Sequence, residues 1–140
     1  MENPKIINQE NSNSEEKECQ DFWDVFMRKI LQLSTVEDDF NTYGSVRPSV
    51  DAIITTITFI LPSLKALDLR PCHVAPSAEN GVGICWLKDK KYADIEIFNS
   101  GEIIGGWFKY HSYHDAAIME IKSLADLEKF LEIINNFLNS

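Results

Sequence analysis

Cysteine is scarce in this chain, and what there is stands scattered. Cys19, Cys72 and Cys85 form no CxxC pair. Their spacing argues against a zinc knuckle or a dithiol redox motif, and the odd count reads as free thiols in a reducing compartment. Histidine is equally sparse, at three residues. Long apolar runs are lacking too. The longest candidate, Ala52 to Leu61, is interrupted by threonines and is shorter than the roughly 20 residues that span a bilayer. The opening MENPKIINQENSNSEEK has no basic-then-apolar order of a secretory signal. A cytoplasmic protein without membrane contact is therefore expected. No P-loop, GxGxxG, HExxH, nucleophile elbow or EF-hand loop occurs, so neither a cofactor nor a metal is expected.

Basic charge is the other shortage. Thirteen Lys and Arg face 22 Asp and Glu, for a formal charge of −9 over 140 residues. The acidity is not a tail effect, because residues 18–140 keep 11 basic and 18 acidic side chains. A field of that sign repels phosphate backbones and anionic lipid, which excludes nucleic acid as an expected partner. It steers a basic protein.

What is present is hydrophobic periodicity. Residues 1–14 are polar and aperiodic and read as a disordered tail, leaving 15–140 as a single α+β domain. Ser12 or Ser14 can cap a first helix, Ser12 with Glu15 as a capping box. Phe22, Trp23, Phe26, Met27, Ile30 and Leu31 recur at helical spacing to about Ser34. TVEDDFNTYGSVRPS is a loop in which Phe40 and Tyr43 should fold back onto the domain. From Ser49 a second helix carries Val50, Ile53, Ile54, Ile57, Ile60, Leu61 and Leu64, and Pro62 should kink or end it near Leu61. After Pro71 the period becomes two. CHVAPSA and VGICWL flank Glu79-Asn80-Gly81, and Asn-Gly predicts a type I′ hairpin turn. KYADIEIF alternates, with Ala93, Ile95 and Ile97 on one face and Asp94 and Glu96 on the other. In EIIGGWFKY, Gly105-Gly106 suggests a bulge or a close approach. AAIMEI is a short fifth strand. Ser123 with Asp126 caps a last helix bearing Leu124, Leu127, Leu131, Ile134 and Leu138. The order α-α-β-β-β-β(-β)-α predicts an α+β fold: a four- to five-stranded antiparallel meander packed on one face by helices.

Chemistry is thin. His111, His114 and Asp115 in YHSYHD have a chelating spacing only on a helix, and the segment reads as an aromatic turn. Cys72 and His73 are adjacent, so on a strand they point apart. No catalytic residue is assigned. The candidate binding residues are Gly83, Tyr92, Asp94, Glu96, Gly105 and Gly106, with Trp86 and Trp107. Glycines on neighbouring strands clear a sheet surface, and aromatic residues surround it. Paired carboxylates such as Asp94 and Glu96 also serve acid–base work where one is desolvated.

Phe40-Asn41-Thr42-Tyr43-Gly44, and Pro76, Ser77, Glu79, Gly81, Val82 and Trp86, carry a resemblance. Over residues 38–105 the chain resembles a family of small bacterial proteins of uncharacterised activity. That family is marked by a Trp-Asp-Gly-Tyr-like loop and a Pro-Thr-x-Asp-Gly-Gly-Val hairpin followed by Trp. Phenylalanine replaces the first tryptophan here, Asn80 departs from the hairpin, and Cys85 stands where a glutamate is common. The resemblance implies a bacterial protein and brings no reaction with it. The expected function is a non-catalytic, acidic protein-interaction module, in its most concrete form an antitoxin-like or defence-system accessory protein. The alternatives are a small hydrolytic or ligand-binding enzyme using the sheet-face carboxylates and histidines, and a homodimer.

Overall fold

A computed structural model describes residues 4–41 and 44–140, with side chains from Ser14 onward. Thr42 and Tyr43, and with them the expected packing of Tyr43, lie outside the described residues. Helix α1 (Pro4–Gln32) runs into a 3-10 turn (Leu33–Thr35). Its backbone is helical from Pro4, ten residues ahead of Ser14, so Ser12 and Ser14 are interior positions rather than caps and residues 4–14 extend the helix. Proline at the first helical position has no intrahelical N–H to lose, and no glycine interrupts the polar stretch after it. Trp23, Phe26, Ile30 and Leu33 are its buried stripe, whereas Leu31 is exposed.

Helix α2 (Val50–Thr55) continues through a π-helical turn (Thr56–Ile60) into α3 (Leu61–Leu67). Ser49 caps it, its Oγ accepting from the N–H of Ala52 at 3.0 Å. Of the two outcomes expected at Pro62, an end or a kink near Leu61, the first does not occur: the helix continues, with its regular winding interrupted just upstream. Pro62 sits at the start of α3, and the wide turn upstream absorbs the missing N–H and the ring. Val50–Leu67 has a mean hydropathy of 1.6, long and apolar enough by length and composition to cross a membrane. Ala52, Ile53, Thr56, Ile60, Leu61 and Leu64 of this rod are buried in the core. Helix α4 (Leu124–Leu138) is capped as the sequence predicts, with Ser123 Oγ accepting from Asp126 N–H at 3.1 Å. Leu124 is exposed instead of buried, and Phe130, fully buried with Leu127, Leu131 and Ile134, sets its ring over Gly105 of the sheet.

The five strands are β1 (His73–Ser77), β2 (Gly81–Lys88), β3 (Lys91–Phe98), β4 (Ile103–Lys109) and β5 (Ser112–Glu120). They form one antiparallel meander in chain order. Val74, Val82, Ile84, Trp86, Ala93, Ile95, Ile97 and Ile103 point to the helices and complete a single core. Trp86 donates its indole N–H to Leu69 O at 3.4 Å, tying the sheet to the end of α3.

Two turns differ from expectation. Asn80 is left-handed (φ 69°) but Gly81 is not, so the loop is the three residues 78–80, closed by Asn80 N–H to Ser77 O at 3.2 Å. That is the three-residue hairpin with one left-handed position. The two-residue turn with positive φ at both positions lies instead at Asp89 (51°) and Lys90 (68°). Gly105 and Gly106 pair regularly on both sides; the irregularity falls between Trp107 and Lys109.

Candidate functional site

The helices cover one face of the sheet and leave the other open. Strand alternation therefore decides where each candidate residue goes. Gly83, Tyr92, Asp94, Glu96 and Gly106 share the open face. Trp86, Gly105 and Trp107 turn to the helices, where Trp86 is buried and the Trp107 ring lies 6.0 Å from that of Phe130. The candidates thus divide between two surfaces, and those on the helical side serve packing.

On the open face the register sets Cys85 and Gly106 on either side of Asp94, and Gly83 and Ile104 on either side of Glu96. The glycines do different things. A Cβ on Gly106 would lie 3.1 Å from Asp94 Oδ1, so Gly106 makes room for that carboxylate. A Cβ on Gly83 would meet only ordinary contacts, the nearest at 3.7 Å from Ala75 O. Gly83 has regular pairing and no positive φ. Neither turn nor packing demands a glycine there; its effect is to leave a notch of about 170 Å³ lined by His73, Ala75, Ser77, Gly83, Tyr92 and Asp94 among others.

Glu96 accepts a hydrogen bond from Ser77 Oγ at 2.9 Å. Asp94 has a weaker partner, the Tyr92 hydroxyl at 3.3 Å. Partial burial, with the Glu96 charge beside it, pushes Asp94 up to about 6, and the Tyr92 hydrogen bond offsets only part of this. Burial, with Asp94 adding to it, raises the Tyr92 hydroxyl well above its ordinary range. Burial likewise raises the Cys85 thiol, so this cysteine is a poor nucleophile.

The Asp94 shift has a testable consequence. A carboxyl whose folded pKa exceeds its unfolded value binds its proton more tightly in the folded state. Its ionisation therefore costs stability as pH rises from near 3.8 to about 6. Asp94→Asn should melt higher than the wild type at pH 7.5, and the gap should close as pH falls towards 4. Paired thermal melts across that range check it; a gap independent of pH would show that Asp94 ionises freely.

Beside this notch the face becomes aromatic. Tyr92 and Phe108 are cross-strand partners with ring centroids 4.9 Å apart. Tyr110 and Tyr113 pack on Phe108 at 5.2 and 5.5 Å and stay exposed, as does Leu87 on the same face. At the other end lies an open hollow of about 590 Å³ that includes Glu79, Glu96 and Glu102. Lys88 and Lys91, at the turn between β2 and β3, are engaged with the C-terminus instead. Lys88 reaches Asn139 at 2.8 Å, and Lys91 bonds the carbonyl and hydroxyl of Ser140.

The histidines do not converge. His73 lies on β1 at one edge of the sheet, and His114 on β5 at the other. His111 occupies a left-handed turn position, and His114 Nε2 lies 3.3 Å from Asp115 Oδ2 with both side chains exposed. The segment read as a turn is thus mostly strand, because β5 begins at Ser112. Among the described residues no group of three or more His, Cys, Asp or Glu is placed to hold a metal.

Sequence reasoning missed the clamp that shapes this end of the sheet. Asn80 Oδ1 accepts from Val46 N–H at 2.7 Å, and Ser45 Oγ donates to Ala78 O at 2.8 Å. Asn99 accepts from Ser49 N–H at 2.7 Å and donates to Arg47 O at 3.0 Å. Two hairpin asparagines thereby hold residues 45–49 in place. Comparison with family models, with curated proteins and with solved structures finds no match.

Proposed function

We propose that this protein is a binding module whose open sheet face docks on a basic protein surface and that it catalyses no reaction. The observation that carries this is the composition of that face. Exposed rings of Tyr110 and Tyr113 and the exposed Leu87 occupy one end of the face, Asp94 follows beside Tyr92, and Glu79, Glu96 and Glu102 lie at the other end. Apolar and aromatic groups flanked by carboxylates suit a partner that offers lysine or arginine beside an apolar contact. The chain's −9 charge speeds encounter with such a partner. Masking a basic surface, as an antitoxin-like or accessory protein does, is the concrete form of this role.

The same geometry disfavours the enzyme reading. The notch beside Asp94, at about 170 Å³, is smaller than the roughly 300–1,000 Å³ of small-molecule sites. The hollow of about 590 Å³ at Glu96 is large enough but open, with neither histidine nor cysteine in its lining. Ser77, whose hydroxyl donates a hydrogen bond to Glu96, is only 4% exposed and so is not presented to a substrate as a nucleophile.

Gly83→Val is the sharpest probe, because it fills the notch without a steric clash at Cβ and raises strand propensity. Tyr113→Ser removes an exposed ring, and Leu67→Ser alters an exposed leucine on the helical side. The measurement is affinity capture from the native host, followed by titration of the purified partner against each variant. The expected partner is basic, binds less tightly as salt rises, and loses about tenfold or more with either sheet-face variant but not with Leu67→Ser. Failure to recover any partner at mild salt, or a partner indifferent to the sheet-face variants, would sink the proposal.

A further inference from the structure

The two edges of the sheet are unlike. Strand β1 is five residues long, contains Pro76 and has α1 packed along it. Strand β5 is nine residues long and has no proline or lysine; its pairing irregularity lies near the Lys109 end. The half from Ala116 to Glu120 thus has no proline, lysine or bulge to keep it from pairing, and its one charge, Glu120, stands at its end.

Its backbone polarity follows from the ladder. Ile121 N–H donates to Ile103 O at 2.9 Å. Antiparallel partners alternate between hydrogen-bonded and non-bonded pairs, so Met119 and Ala117 also face β4. Ala116, Ile118 and Glu120 then turn their N–H and C=O groups outward. Ile118 is 81% exposed, an unusual position for a large β-branched side chain.

We infer that β5 pairs antiparallel with β5 of a second copy, joining the two sheets edge to edge. The sequence of the strand is self-complementary for this. With Ala117 on the two-fold axis, Ala116 lies opposite Ile118 of the copy, Asp115 opposite Met119 and His114 opposite Glu120. No like charges meet, and the outward groups of Ala116 and Ile118 satisfy one another. The two carboxylates of this edge each have a basic neighbour, Lys122 at 3.6 Å from Glu120 and His114 at 3.3 Å from Asp115. The chain's surplus negative charge therefore lies away from the contact, which favours a second copy over a basic peptide at this edge. This pairing leaves the open face uncovered and makes it continuous across both copies, so it stands or falls independently of the partner proposed above.

The test is sedimentation equilibrium of the full chain at concentrations up to about 100 μM, a range suited to a modest interface. The expected mass approaches twice the 16.0 kDa of one chain. The amides of Ala116 and Ile118 should exchange more slowly with hydrogen isotope as concentration rises. Ala116→Pro removes an outward N–H while sparing the ladder to β4, and should give a folded monomer by circular dichroism. If that variant fails to fold, Ile118→Lys decides, because it places a charge at the joint on an already exposed site. A 16.0 kDa species at the highest concentration, or a dimer that survives Ile118→Lys, overturns the inference.

Discussion

Gly81→Ala is expected to lower the stability of the protein by about 3 kcal/mol or more, the upper end of what one added methyl does in a packed site. A Cβ at this position would lie 2.7 Å from Phe98 Cα and 2.9 Å from Ile97 C, with the Ile97 carbonyl oxygen closer still. These are backbone atoms of the neighbouring strand, so no rotamer change relieves the clash. Strands β2 and β3 must part at a point fixed by Asn99 N–H bonding to Asn80 O at 2.8 Å. The same point anchors Val46 through Asn80, so separation there also loosens residues 45–49. With folded domains holding only some 5–15 kcal/mol in reserve, a large share of the molecules should unfold at moderate denaturant. Urea titrations monitored by tryptophan fluorescence give the comparison. Gly83→Ala, two residues along the same strand, is the control and should change the midpoint little, because its methyl meets only ordinary contacts. Equal losses at the two glycines would refute the close-approach explanation and restore generic strand flexibility as the cause.

That contrast also marks what could be read before the structure. The helices and the meander were legible because each depends on local periodicity: Trp23, Phe26 and Ile30 at helical spacing, Ala93, Ile95 and Ile97 at spacing two, Ser123 and Asp126 as a cap. The turn chemistry was not. Asn-Gly satisfies a type I′ turn locally, but the pairing of Ser77 with Gly81 leaves three residues in the loop and only one left-handed position. Conversely, Asp89-Lys90 adopts the two-residue turn because Lys88 pairs with Lys91, although lysine is a poor left-handed residue. Cross-strand register overrode local preference in both places.

The division of the candidate site has the same origin. Asp94 and Glu96 are assigned to the open face by simple alternation with Ile95 and Ile97. Trp107 and Gly105 follow the same parity as Ile103, and counting from it places them inside. The adjacent glycines hid that count, since a residue without a side chain carries no hydropathy signal. Clustering glycines and tryptophans by type therefore merged two surfaces that the pleat separates. The asparagine clamps, spanning 34 and 50 residues of sequence, have no local signature at all.

The glycine inside gives the second large effect, and its physics differs from that of Gly81. A Cβ on Gly105 would lie 2.6 Å from Cδ1 and Cζ of Phe130, with Cε1 closer. Phe130 is fully buried on α4, so its ring rests directly on the β4 backbone and the helix approaches the sheet as closely as a ring permits. Gly105→Ala should therefore cost about 2–3 kcal/mol by overpacking, with β4 and α4 forced apart. Here the obstacle is a side chain, and a side chain can be shortened. Phe130→Leu alone should cost roughly 1–3 kcal/mol through the void it leaves. In the double variant the alanine methyl enters part of that void, so its loss should fall short of the sum of the singles by about 1 kcal/mol or more. Denaturant midpoints for the four proteins close the cycle. Strict additivity would mean that Gly105 is required for backbone freedom rather than for the ring above it. A positive coupling, absent from the same cycle run between Gly81 and Phe130, would locate the closest contact between helix layer and sheet at one glycine and one phenylalanine.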